Sequence, residues 1–356
     1  MKRLPNLDPL RFFLASLVLL FHLPQLSANQ GLPYFDGLPI FHRGLEAVYM
    51  FFVLSGFLII RIIYRAKIRG TFSIRDFYIK RILRIFPLYY LVLGFGFFFY
   101  NVILPYLNIY FEIKYTWKEA LLYNVFFLPN VFAKVYEPGG IIEILWSIGI
   151  EEQFYLFIAP LLFFIKTKWI LPILSALLLG YFILYWSNIF EVLRNYTFVF
   201  FYLFTGGVIA ILEEKKMLEI FKRRKFFPLL VCLATLLFYF TDIFMFEPLW
   251  LRSLITCLLF GFFVHTLAFN NRGVEMNNKI INHFGSISYG IYMYHAIILN
   301  AVVFLFLELE ILQNLNKKLT VFLMLLLTFA GTILIAHISY TYFELYFLKL
   351  KNKFRK

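Results

Sequence analysis

Long apolar runs, separated by short polar and mostly basic segments, recur along the whole chain. A helix needs about 20 predominantly apolar residues to cross a bilayer, and inside the hydrocarbon all its backbone polar groups must be bonded within the protein. On that rule the pattern predicts ten spans, over 9–26, 45–64, 85–104, 142–165, 169–187, 196–212, 226–241, 248–269, 284–307 and 319–343. The expected fold is all-α: a polytopic membrane helix bundle of about ten transmembrane helices. The longest segment on the face opposite the basic loops, 105–141, is too short for a domain of its own, although Trp117–Leu128 reads as a short helix.

Composition narrows the class. Of 356 residues, 62% are hydrophobic and 15% charged, against about 45–50% and about 25% in soluble domains. A soluble fold of this length could not bury so much apolar surface. The net charge of +14 does not indicate a nucleic-acid partner, because the basic residues sit in clusters between spans. One set of alternate loops holds Arg65, Lys67, Arg69, Arg75, Lys80, Arg81 and Arg84, then Lys166 and Lys168, then Lys215, Lys216 and 222–225, and finally the tail with Lys349, Lys351, Lys353, Arg355 and Lys356. The other set is poorer: Asp242 and Glu247 frame one turn, and Glu308 and Glu310 offset Lys317 and Lys318. The asymmetry predicts that both termini are cytoplasmic and that basic groups meet anionic lipid headgroups.

The start resembles a signal peptide in its basic residues and apolar core, but Asp8 and Arg11 interrupt that core, so a retained first helix is expected. Cys232 and Cys257 lie in apolar runs at no metal-ligand spacing. No Walker loop, HExxH or GxSxG motif occurs, and no metal is expected.

Ionisable residues inside spans are costly and therefore mark function first. Arg11 and His22 are eleven residues apart, about three turns, so they share a helix face roughly 16 Å apart along its axis. A guanidinium at one end suits an anionic group, and an imidazole deeper in suits proton transfer. The alternative is that Arg11 reaches headgroups and His22 bonds a neighbouring helix. In the fourth span Glu151 and Glu152 point about 100° apart, so one can face a cavity while the other meets an adjacent helix or pairs with Arg11, Arg81 or Arg84. Arg81 and Arg84 share a face at i, i+3 before Pro87, a clamp for phosphates or an anchor for headgroups. Ser55-Gly56 and the small residues of 284–292 read as packing, and His265, His295 and His337 as interhelical histidines.

Together these segments resemble the acyltransferase-3 family of integral membrane acyltransferases. The resemblance runs through Leu7-Asp8-Pro9-Leu10-Arg11 to His22, Phe51–Leu58, Arg81-x-x-Arg84 with Pro87, Glu151-Glu152-Gln153-Phe154-Tyr155, and Ser288–Tyr292 with His295. These landmarks fall in family order over nearly the whole chain. Tyr49 stands where many relatives carry an acid, and Tyr346 follows Glu344 where relatives often have proline.

The resemblance implies a membrane acyltransferase domain over 1–348, with 349–356 a basic cytoplasmic tail and no appended hydrolase-like domain. It implies an acyl-CoA donor, usually acetyl-CoA, and a hydroxyl of a cell-envelope polysaccharide or lipid-linked glycan as acceptor. Arg11, Arg81 and Arg84 would hold the donor phosphates, and His22 would act as general base, with Glu151 or Glu152 orienting it. An acyl-His22 intermediate is a second route. Ser147, Gln153, Tyr155 and His295 are candidates for acceptor contacts. The location implied is a multi-pass position in a bacterial inner or plasma membrane. A proton-coupled exporter or flippase using Arg11, His22, Glu151 and Glu152 is the alternative, expected to carry inverted repeats that the sequence does not display.

Overall fold

The computed structural model describes residues 4–224, 226–269, 278–309, 312 and 314–350. Lys225, Glu310 and the tail residues Lys351, Lys353, Arg355 and Lys356, to which the sequence assigned topology, lie outside them. Among the described residues the secondary structure is entirely helical. Among the described residues eight helices, against the ten spans expected, are long and apolar enough to cross a membrane, with those that continue past a kink counted once. The chain is a multi-pass membrane protein.

The helices that build the site are α1 (Leu7–Asn29), α2 (Gly44–Ile68) and α3 (Ile74–Phe98), which continues through a π-helical turn at Phe99–Ile103. After α4 (Trp117–Val125) and α5 (Pro129–Tyr136) come α6 (Gly140–Glu143) and α7 (Trp146–Phe164). The scaffold then adds α8 (Ile170–Trp186), α9 (Phe200–Glu214), α10 (Phe227–Phe240) and α11 (Leu249–Phe269). The last three are α12 (Lys279–Ser286), α13 (Ser288–Glu308) and α14 (Lys317–Ser339).

Every predicted span contains a helix, with three differences of physical origin. Helix α3 begins eleven residues early, at Ile74, where Ser73 accepts the Asp76 amide and caps it; Arg75 and Lys80 are therefore helical, not loop, and Arg81 and Arg84 stand on the helix as their i, i+3 spacing predicted. The ninth span is two helices broken at Ile287. There Gly285 lies directly on the backbone of Asp8, where a Cβ would stand 2.1 Å from the Asp8 carbonyl oxygen. The sixth and seventh are only 15 and 14 residues long, about 22 Å at 1.5 Å per residue. Helix α9 needs little lipid contact because protein surrounds it: Gly56 and Gly206 let α2 and α9 touch backbone to backbone, a Cβ on either meeting a carbonyl oxygen at 1.9 Å. In the 105–141 segment, Thr116 and Glu119 form a capping box that starts α4.

The two ends of the bundle differ in chemistry. At one, Glu214 joins Arg61 at 2.6 Å and Arg65 at 2.8 Å. There too Lys67 donates to the carbonyls of Leu162, Phe163 and Ile165, closing the C-terminus of α7, and Glu213 links Lys222 to His265. This is the basic end. At the other, Arg43 ties α2 to the end of α10 through the Thr241 carbonyl and Asp242. Leu229, Leu230, Leu233, Phe322, Leu326 and Leu334 are exposed on α10 and α14, as lipid-facing positions are.

Candidate functional site

Helices α1, α2, α3, α7 and α13 line a cavity of about 310 Å³ that extends along α2 from Val48 to Ile62, toward the basic end. Its walls carry Arg11 from α1, Ser55 from α2, Arg81 and Arg84 from α3, Ser147, Glu151 and Tyr155 from α7, and Tyr292 from α13. Six of the ten residues singled out in the sequence thus meet in one place: Arg11, Arg81, Arg84, Ser147, Glu151 and Tyr155.

Arg11 forms an ion pair with Asp8 at 2.7 Å, one turn away on α1. The Arg81 guanidinium lies 5.9 Å from the centre of the Tyr155 ring and 6.0 Å from that of Phe77, within cation–π range. Its Nε is buried with no partner among the described residues. Arg84 is the more exposed of the pair and, with Arg11, also borders an adjoining recess of about 220 Å³ containing Asp8 and Glu344. Three guanidiniums therefore converge at the mouth of an otherwise largely apolar pocket, which suits the phosphates of an anionic ligand whose arm runs inward.

Adjacent on α7, the two carboxylates diverge as helical geometry requires. Glu151 faces the cavity, where Tyr155 donates to it at 2.5 Å and the Ser55 hydroxyl, with one proton to give, donates either to Glu151, 3.0 Å away, or to the Tyr155 oxygen. Glu152 is buried, 5% exposed, and its Oε1 has no partner among the described residues. Ser55 was read as packing. Its neighbour Gly56 does pack, but a turn of about 100° places the Ser55 hydroxyl on the cavity side. Gln153 faces away from the cavity: its amide donates to the Phe127 carbonyl at 2.6 Å and Asn130 Oδ1 at 2.9 Å. It fastens the 127–130 segment to α7.

His22 lies elsewhere. It lines a second cavity, of about 510 Å³, together with Gln25, Glu143, Trp146 and Asn300. The order of residues along three helices relates the two cavities. Helix α1 passes from Arg11 to His22, α13 from Ser288 and Tyr292 to Ala296 and Asn300, and α7 from Tyr155 back to Ser147 and Trp146. The arginine cavity and the His22 cavity are therefore stacked end to end.

A thin layer of side chains lies between them. Tyr292 donates to the Ile144 carbonyl at 2.9 Å; with its proton committed there, it accepts from the Ser147 hydroxyl at 2.7 Å. His295, one turn on, is 1% exposed. It stacks on His22 with ring centroids 5.3 Å apart and bonds the carbonyl of Tyr292 through Nδ1 at 2.5 Å. Glu151 and His22 face different cavities, so the expected pairing of a glutamate with His22 is not among the described hydrogen bonds; His22 instead bonds the Gln25 side chain and stacks on His295. Tyr292 belonged to a segment read as packing, and only the fold reveals it as a cross-tie. Among the described residues no three of His, Cys, Asp and Glu converge as metal ligands would.

Residues 4–340 match the family model of the acyltransferase domain. The chain belongs to this acyltransferase family. Among curated relatives it is 26% identical over 326 residues to YrhL of Bacillus subtilis, which bears a provisional peptidoglycan O-acetyltransferase name; the match covers 82% of this chain and 48% of the relative. It is 28% identical over 180 residues to the peptidoglycan O-acetyltransferase OatA of Listeria monocytogenes, covering 48% and 25%. A third relative, ORF330 of Acidianus two-tailed virus, carries a provisional acetyltransferase name and is 27% identical over 301 residues, 82% of each chain. The chain thus spans about half of YrhL and a quarter of OatA. No solved structure matches it.

Proposed function

We propose that this protein is a cell-membrane O-acetyltransferase that moves an acetyl group from acetyl-CoA to a hydroxyl of a cell-envelope glycan, with both chain termini cytoplasmic and residues 1–348 forming the catalytic domain. The observation that carries the proposal is the end-to-end placement of the arginine cavity and the His22 cavity, separated by one layer of side chains. The names of two relatives point to a glycan acceptor such as peptidoglycan, and the charge asymmetry of the loops supports a cytoplasmic basic end.

On this reading Arg11, Arg81 and Arg84 hold the donor phosphates at the inner mouth. About 310 Å³ suits the thioester arm rather than the whole nucleotide, leaving the phosphates at the rim. Ser55, Glu151 and Tyr155 form one polar stripe along an otherwise apolar wall and orient the arm. The thioester carbon reaches the layer of Ser147 and Tyr292 from one side, and the acceptor hydroxyl enters the His22 cavity from the other. His22 takes the hydroxyl proton as the oxygen attacks; the new ester bond forms, the carbon–sulfur bond breaks, and the proton passes to the departing thiolate. A positioned base of this kind contributes about 10²- to 10⁴-fold. His295 acts as the wall that holds the His22 ring.

The test is acetyl transfer from labelled acetyl-CoA to envelope glycan in membranes bearing wild type or His22→Ala. Loss of label in the glycan with retained donor binding supports the proposal. Undiminished labelling by a folded His22→Ala protein defeats it.

A further inference from the structure

The end of the bundle that carries His22 holds another cavity, separate from the arginine and His22 cavities. Gly44, at the start of α2, abuts Phe21 of α1, so the first turns of α2 lie level with His22. There, between α2, α8, α9 and α11, about 170 Å³ is lined by Glu46, Tyr49, Trp186, Tyr202, Arg252 and Ser253 among others.

Three features make this a built site rather than a packing gap. First, Glu46 and Arg252 border the same space, yet among the described residues they form no ion pair with each other. Arg252 instead reaches the sulfur of Met245 at 3.4 Å, a weak acceptor. Second, Glu46 Oε2 and Trp186 Nε1 are buried without a hydrogen-bond partner among the described residues, although buried polar groups are normally satisfied. One is an acceptor and the other a donor. Third, Tyr49 and Tyr202 stack at 4.5 Å with their planes 18° apart, giving one wall a flat aromatic lining.

We propose that this cavity is a saccharide subsite that holds a non-reacting ring of the acceptor glycan. A sugar hydroxyl donates and accepts at once, which suits a lining that holds both an unpartnered carboxylate oxygen and an unpartnered indole N–H. The lining carries one acid and one base, which suits a neutral polyol, whereas an isolated phosphate would place a second anion beside Glu46. A pyranose also has an apolar C–H face to lay on an aromatic wall. The volume admits a single ring. Only a row of packed rings separates the site from the His22 cavity: Tyr49 lies 6.5 Å from Phe52, and Phe52 lies 5.9 Å from Trp146, which lines that cavity. The subsite rests on the reading that the acceptor is a glycan, and its role is to raise affinity for a polymer over a single sugar.

The experiment is titration of the full-length protein in detergent with tetrasaccharides of N-acetylglucosamine, glucose and galactose, with glycerophosphoethanolamine as competitor. At least one tetrasaccharide binds wild type; Glu46→Gln and Arg252→Ala weaken that binding at least tenfold, and Trp186→Phe and Tyr49→Phe weaken it by smaller factors. Melting temperatures identify any variant that fails to fold, and the two conservative aromatic replacements keep the test informative if the charge variants do. The proposal is overturned if none of the three saccharides binds, if folded variants bind as wild type does, or if glycerophosphoethanolamine displaces the sugar, which would mark a zwitterionic headgroup site. Saccharide binding without any acetyl transfer would refute the enzymatic reading and leave this site standing. Transfer with no effect of these variants on binding would do the reverse.

Discussion

His22 of α1 and His295 of α13 stack with ring centroids 5.3 Å apart and planes 26° from parallel. A backbone carbonyl can only accept, so the 2.5 Å contact from Tyr292 O fixes the His295 proton on Nδ1. That leaves the Nε2 lone pair, buried and without a partner among the described residues. His295 packs against the His22 ring without itself lining either cavity, and on the proposed mechanism it helps to hold that ring. Replacing it with alanine should lower kcat by about 10- to 100-fold, the usual scale for losing part of an acid–base arrangement, while the KM for acetyl-CoA stays within twofold. A shifted pH profile in the variant would accompany a positioning role. A change in KM alone would point to a defect confined to donor binding.

The arginines act at the opposite end. Arg81→Ala or Arg84→Ala should raise the KM for acetyl-CoA by about 10- to 100-fold, since a charge-assisted hydrogen bond contributes about 1.5–3 kcal/mol. A lysine at either position restores part of the loss, because it keeps the charge and loses the planar fork. Arg11→Ala differs, since it also breaks the ion pair with Asp8; it should lower thermal stability along with affinity. Donor affinity measured by equilibrium binding checks all three.

Tyr292 couples the two cavities through one hydroxyl shared between Ile144 and Ser147. Tyr292→Phe keeps the ring and strands both partners, at a cost of about 1–3 kcal/mol for a buried group left unpaired. The separating layer should then leak, so hydrolysis of acetyl-CoA without an acceptor should rise relative to transfer. A hydrolysis-to-transfer ratio equal to that of wild type would show that the hydroxyl does not seal the layer.

Gly56 and Gly206 hold α2 against α9, where an added Cβ would lie 1.9 Å from a carbonyl oxygen. Gly56→Ala must push the helices apart, and overpacking of this kind costs typically about 1–3 kcal/mol. The neighbouring Ser55 would move with it, disturbing the contacts of Glu151 and Tyr155. A lowered unfolding temperature in detergent is the expected result. Gly180, whose Cβ would meet nothing within 4 Å, is the control.

The helical class, the approximate positions of the apolar helices and the grouping of Arg11 with Arg81 and Arg84 were legible because apolar length and the expense of buried charge leave direct marks in a sequence; Glu151 was expected beside His22 and Tyr155 beside the acceptor, and both instead line the arginine cavity. The divergence of Glu151 from Glu152 followed from the helical turn alone. What could not be read depends on neighbours distant in sequence. Ser55 finds Glu151 ninety-six positions away, and Tyr292 finds Ile144 across 148. Gln153 looked like a site residue, yet its amide belongs to the 127–130 segment. The break at Ile287 was hidden because Gly285 is shaped by the backbone of Asp8, at the other end of the chain. Equally, the common face of Arg11 and His22 suggested one pocket, whereas α7 and α13 divide it into two.

On the proposed function the donor enters past the arginines and His22 activates the acceptor beyond the dividing layer. The most direct measurement is a two-sided assay in vesicles of known orientation, with labelled acetyl-CoA supplied on the face carrying Arg84 and a glycan acceptor on the face carrying His22. Wild type should label the glycan across the membrane, and His22→Ala should bind the donor normally yet transfer at least a hundredfold more slowly. Transfer that requires donor and acceptor on the same face, or that survives intact in His22→Ala, would contradict the account.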